Sequence, residues 1–238
     1  MLGLLVASSP AGWAVALMTT AGFLLRHPAK MFLRNRHRLA ASPRYRAAGL
    51  VALAYAGLAG AGAATAMALE GVIPLTPFVI LAPVLVAYAA YDLTNQARRI
   101  LPELAGPAGL AAAAPAIALA NDWRPAAAAA LWVILVARIV PSVVYVRSRL
   151  RLERHEPIDR WHVWLCHGLS IGAVTALYGR RLAPLTTILA LVGLGARAAG
   201  GLSAGRRKGV RARYVGFTEL GFGLVYILLT AAGFRLGW

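Results

Sequence analysis

The chain has 238 residues, 60 % of them hydrophobic and only 14 % charged, with a mean hydropathy of +0.66. That combination excludes an ordinary water-soluble domain. The formal charge of +17 is not a nucleic-acid signature, because the basic residues lie between apolar runs instead of gathering on the face of a soluble fold, and no nucleic-acid partner is expected.

A helix needs about 20 mostly apolar residues to cross a bilayer, and lipid leaves helices and closed barrels as the only spanning structures. The alternation of a barrel strand is missing here. From the amino terminus, continuous apolar runs fall at residues 12–25, 47–69, 77–93, 103–120, 125–146, 161–178, 182–200 and 215–234. They predict an all-α, polytopic transmembrane helix bundle of eight spans, forming a single transmembrane helical domain over residues 1–238. Residues 1–7 are apolar with no basic segment before them, so they read as a truncated first helix and not as a secretory signal. The lone cysteine, Cys166, excludes an intramolecular disulfide and a multi-cysteine metal centre.

The loops sort by charge. Taken alternately, one set carries nineteen Lys and Arg residues, from Arg26 to Arg46, at Arg98 and Arg99, from Arg147 to Arg160 and from Arg206 to Arg213, while the other set carries four, Arg124, Arg180, Arg181 and Arg235. The positive-inside rule then puts the first set in the cytoplasm and the carboxyl terminus outside. All basic residues except Lys30 and Lys208 are arginine, and alanine and glycine abound, a composition typical of a GC-rich bacterial genome. The expected location is the bacterial inner (cytoplasmic) membrane.

Ionisable groups within spans are costly and usually face a partner or a wet cavity. Asp92, Glu103, Arg138, Arg197 and Glu219 are the ones to explain. In the first basic loop, Arg26, Lys30 and Arg34 share a helical face. Residues 91–99 read as the most polar helix end in the chain, where Asp92, Asn95 and Arg99 share another face, with Pro102 and Glu103 suited to the start of the next helix. Asp92 and Glu103 could instead pair with Arg98 and Arg99. Further on, Arg138, Ser142, Tyr145 and Arg149 follow the same three-and-four spacing, and Pro141 interrupts the hydrogen-bond ladder within that face, as at the wall of a cavity. Guanidinium groups bind phosphate bidentately. The residues Arg26, Lys30, Arg34, Asp92, Asn95, Arg99, Arg138, Ser142, Tyr145 and Glu219 are therefore the candidate ligand-binding set. The expected ligand is anionic, phosphate-bearing or lipid-linked, held in a cytoplasm-facing cavity. Membrane lipids are the expected partners, including an anionic or isoprenoid lipid. No catalytic residue and no cofactor can be assigned from the residues, and no protein-metal motif is present.

Three segments together resemble the YwiC-like family of bacterial membrane proteins: FLLRHPAKMFLRNRHR at residues 23–38, YDLTNQARRILPELAG at 91–106 and ARIVPSVVYVRSRLRLER at 137–154, with VGFTELGFGL at 215–224 fitting as well. The resemblance runs over most of the chain and implies no particular activity. Members usually begin with an HGAW-like segment upstream, which suggests a truncated start. A more distant likeness is to the UbiA superfamily of membrane prenyltransferases, whose nine helices and cytoplasmic active site match the helix count. Their two magnesium-binding motifs are rich in aspartate where this chain carries arginine, so a magnesium site is not implied. A UbiA-like prenyl or lipid transferase with degenerate aspartate-rich motifs and a small-anion transporter are the alternatives to a lipid-binding protein.

Overall fold

The computed structural model describes residues 1–34, 43–94, 96, 99–203 and 210–237, with the Arg34 side chain left out. Asn95, Arg36, Arg38, Arg98, Arg206, Arg207 and Lys208 lie outside the described residues, as does the side chain of Arg34. Those that are described form helices α1 (Leu2–Val6), α2 (Pro10–Arg34), α3 (Pro43–Glu70), α4 (Thr76–Ile80), α5 (Ala82–Leu93), α6 (Ile100–Leu110), α7 (Ala113–Leu119), α8 (Pro125–Glu153), α9 (Trp161–Gly179), α10 (Leu185–Leu202) and α11 (Ala212–Leu236). No strand occurs among them. The chain divides into two compact units, one of residues 3–128 and one of residues 129–238 with Met1 and Leu2.

Every apolar run is mostly helical. Among the described residues five segments are long and apolar enough to cross a membrane: Pro43–Glu70, Ile100–Leu119, Pro125–Glu153, Leu185–Leu202 and Ala212–Leu236. The run at residues 77–93 departs from the expected single helix. It is broken at Leu81, so that the segments Ile73–Ile80 and Ala82–Leu93 meet at 52°, and counting the bent pair as one span gives six. Proline explains the break, since Pro83 falls in the first turn of α5 and has no N–H to extend the ladder from α4. The outward surface fits a lipid solvent: Leu53 is 71 % exposed, Val79 70 %, Phe217 69 % and Leu220 70 %, a density of bare large apolar groups that water would penalise.

In the first unit, Ser9 starts α2. Its hydroxyl accepts from the Gly12 amide at 3.0 Å and donates to the Ala120 carbonyl at 2.7 Å, capping one helix while tying it to the end of α7. Pro10 fills the first helical position, where the missing N–H costs nothing. Ala14, Val15, Ala66, Ala116 and Ile117, from α2, α3 and α7, form the core. Small residues let these helices approach: a Cβ on Gly62 of α3 would lie 2.7 Å from the Ala14 carbonyl and 2.8 Å from the Met18 amide nitrogen.

In the second unit, α8 runs helically through Pro141. Tyr145, Val163, Ala198 and Leu202 form the core where α8, α9 and α10 meet. Tyr226 of α11 is 1 % exposed and donates its hydroxyl to the Ile134 carbonyl of α8 at 2.8 Å, so a buried phenol finds the partner it needs. Arg149 pairs with Glu153 one turn on and donates to the Gly201 carbonyl, while Glu153 accepts from the Val210 amide at 3.2 Å. This group holds the end of α10 and the approach to α11 to the same turn of α8.

Candidate functional site

Two residues of the expected α2 face come together, while the Arg34 side chain lies outside what is described. Arg26 and Lys30, one turn apart, both reach Asp92 of α5. The Arg26 guanidinium is bidentate, Nε to Oδ2 at 2.8 Å and Nη2 to Oδ1 at 3.2 Å, and Lys30 Nζ donates to Oδ1 at 3.0 Å. The Asp92 side chain is 5 % exposed against 42 % for Arg26, so the carboxylate is the buried anchor and the guanidinium its exposed end. Two cations share one acid, leaving a net charge of about one.

This cluster stands at the edge of a cavity of about 490 Å³ in the first unit, walled by α2, α3, α4, α5 and α6. Apart from Arg26, Lys30 and Asp92 the walls are almost wholly apolar, among them Phe23, Phe78, Leu85, Leu110 and Tyr88. The Arg26 guanidinium lies 5.2 Å from the Tyr88 ring centre, a cation–π contact. Gly106 and Gly109 of α6 make the space: a Cβ on Gly106 would lie 2.8 Å from the Tyr88 ring, and one on Gly109 would run into Leu85. The volume lies within the range typical of small-molecule sites.

α5 ends at Leu93 and Thr94 is already in a turn, while Arg99 precedes α6. Asp92 and Arg99 therefore do not stand on one continuous helix, Asn95 lies outside the described residues, and Asp92 meets α2. Glu103 sits in the first turn of α6, where its charge suits the helix dipole.

The remaining candidates belong to the second unit. Arg138 Nη2 donates to the Glu219 backbone carbonyl at 3.0 Å, so it meets the main chain of that residue. The Glu219 carboxylate pairs with Arg197 of α10. Arg197 lies between two rings, 4.2 Å from the Tyr145 centre and 5.1 Å from that of Phe222. Gly223 clears the way for Arg138, because a Cβ there would strike its guanidinium. Around this group Arg138 Nε, Ser142 Oγ, Arg197 Nε and Nη2, and Glu219 Oε2 are buried without a hydrogen-bond partner. Each such group costs about 1–3 kcal/mol when left unmade.

Arg197, Tyr88 and the three glycines were absent from the candidate set. Arg197 was legible as an ion inside a span; the glycines carried no signal of their own, since their role is the room they leave. Among the described residues no group of three His, Cys, Asp or Glu side chains stands close enough to hold a metal ion.

No curated protein and no solved structure matches the chain. A family does match, over residues 1–118. The match takes in FLLRHPAKMFLRNRHR and YDLTNQARRILPELAG, and with them Arg26, Lys30 and Asp92, but stops short of the segments at 137–154 and 215–224. The resemblance expected over most of the chain is thus supported over just under half of it. Residues 1–118, which include the cavity of the first unit, match the model of the YwiC-like protein family.

Proposed function

We propose that this is a multi-pass protein of the bacterial cytoplasmic membrane that binds an anionic amphiphile, a phosphate-bearing headgroup on an apolar chain, in the cavity of its first unit. The observation that carries the reading is the cavity's composition: apolar walls along its length and, at its edge, two cations sharing one buried carboxylate. A chain would occupy the walls at a gain proportional to the apolar area covered, and the headgroup would meet the surplus charge on Arg26 and Lys30. On this reading eight helical runs cross the membrane, with the arginine-rich loops in the cytoplasm and Arg26 at the cytoplasmic headgroup level.

A transferase of the UbiA kind would need several carboxylates facing the headgroup. Asp92 is the single acid among the lining residues and is paired twice, which favours binding over metal-assisted transfer.

The test is the lipid that accompanies the purified protein, extracted and identified by mass spectrometry. An anionic lipid is expected at near-stoichiometric amount in the wild type. Loss of a charged hydrogen bond worth about 1.5–3 kcal/mol corresponds to roughly a tenfold or greater reduction in Arg26→Ala, whereas Arg154→Ala, on an outer arginine, should cost less than about threefold. Equal losses in the two variants would mean a diffuse attraction to anionic headgroups and would remove the cavity from the account.

A further inference from the structure

We infer that the second unit contains a separate anion site, at Arg138, Arg197, Ser142 and Glu219, for a phosphate group in its monoanionic form. Three observations lead there, none resting on the cavity of the first unit. The first is charge. Arg138 and Arg197 share one carboxylate, Glu219, and Arg138 is met by the Glu219 carbonyl, a dipole and not a charge. One positive charge is thus left over in a low-dielectric interior, where an unpaired ion is strongly disfavoured. A monoanion makes the group neutral.

The second observation is the pattern of unmet hydrogen bonds. Donors without partners sit on both guanidiniums, at Arg138 Nε and at Arg197 Nε and Nη2, and the Ser142 hydroxyl, on a residue 7 % exposed and one turn from Arg138, is also free. Oxyanion oxygens accept from all of these. Glu219 Oε2, a carboxylate oxygen that can only accept, is unmet as well, and it calls for a ligand that also donates. A phosphate monoanion has acceptor oxygens and a hydroxyl, so it answers both needs; sulfate has only the former.

The third observation is that the arginines are held in place. Arg197 is stacked between Tyr145 and Phe222, and Gly223 leaves the space that Arg138 occupies. Preorganised guanidiniums lose little side-chain freedom on binding. Buried polar groups in native proteins are nearly always satisfied, and a concentration of them on two fixed cations marks the position of a charged ligand.

The experiment titrates the purified full chain in phosphatidylcholine nanodiscs with inorganic phosphate in mildly acidic buffer, following the thermal unfolding midpoint. A saturable upward shift is expected, with sulfate weaker by about tenfold for want of its hydrogen bond to Glu219. Arg138→Gln should weaken phosphate by about tenfold or more, while Arg124→Ala, at an exposed position in the other unit, should leave it within about twofold. Should Arg138→Gln fail to fold, Ser142→Ala removes one donor without touching an ion pair and should weaken phosphate by about threefold to tenfold. A second arm places phosphatidic acid in the nanodiscs without free phosphate: stabilisation there alone, lost with Ser142→Ala, identifies a lipid phosphate as the source, and stabilisation by inorganic phosphate identifies the free ion. No saturable shift in either arm, equal response to sulfate, equal loss in Arg124→Ala, or phosphate binding unchanged in Ser142→Ala would each overturn the site.

Discussion

Asp92 holds two cations that would otherwise repel each other, since Arg26 and Lys30 are one helical turn apart on α2. Its removal should therefore have opposite effects on stability and on binding. Asp92→Asn is expected to lower thermal stability in detergent by about 1–3 kcal/mol through the loss of charged hydrogen bonds, and at the same time to raise retention of an anionic lipid, because the surplus charge at the edge of the cavity grows from one to two. A fall in retention would show that the carboxylate itself holds the ligand. Gly106 offers a test free of charge effects. Gly106→Val would push into the Tyr88 ring and narrow the cavity, so lipid retention should drop by about fivefold or more while Arg26, Lys30 and Asp92 stay intact.

At the scale of elements, the crossing of α2 and α3 depends on a backbone approach that a side chain cannot share. Gly62→Ala would place a methyl against the Ala14 carbonyl and the Met18 amide, neither of which can rotate away, and overpacking of this kind costs about 1–3 kcal/mol. Gly60, two residues earlier on the same helix, meets nothing within 4 Å. Gly60→Ala should be neutral or stabilising by about 0.5–1 kcal/mol, as alanine is favoured over glycine in a helix interior. Thermal unfolding of both variants in one detergent measures the contrast; equal effects would place the helix contact elsewhere. The bend between α4 and α5 belongs to this scale too, because it turns the run that ends in Asp92 toward α2 instead of letting it continue straight.

For the molecule as a whole, the distribution of arginine makes a sidedness prediction. In a Cys166→Ala background, cysteine at Arg154 should be shielded from an impermeant thiol reagent in intact cells, and cysteine at Asp122, an exposed position in the turn between α7 and α8, should react. Reaction at position 154 from outside would reverse the assignment. The expected pattern follows because positively charged loops resist translocation, a rule that acts on the chain as it inserts and not on its final packing.

Composition and periodicity by themselves determined that the chain is helical, that many of its helices suit a lipid solvent, and that the rare ions within them call for explanation. These are local properties: whether a run is apolar depends on its own residues, and the face shared by Arg26 and Lys30 depends on helical spacing alone. The spacing argument does not carry from Asp92 to Arg99 because it assumed a continuous helix where α5 stops at Leu93, and propensity places helix ends less well than helix existence. Tertiary structure decided which ion met which. Asp92 met Arg26 and Lys30 of α2, and Glu219 gave its carboxylate to Arg197 and its carbonyl to Arg138. Pairings of this kind depend on distances between helices, which are decided by small residues such as Gly62, Gly106 and Gly223 whose effect lies in the side chain they lack, and that effect becomes visible only once the neighbour across the gap is known.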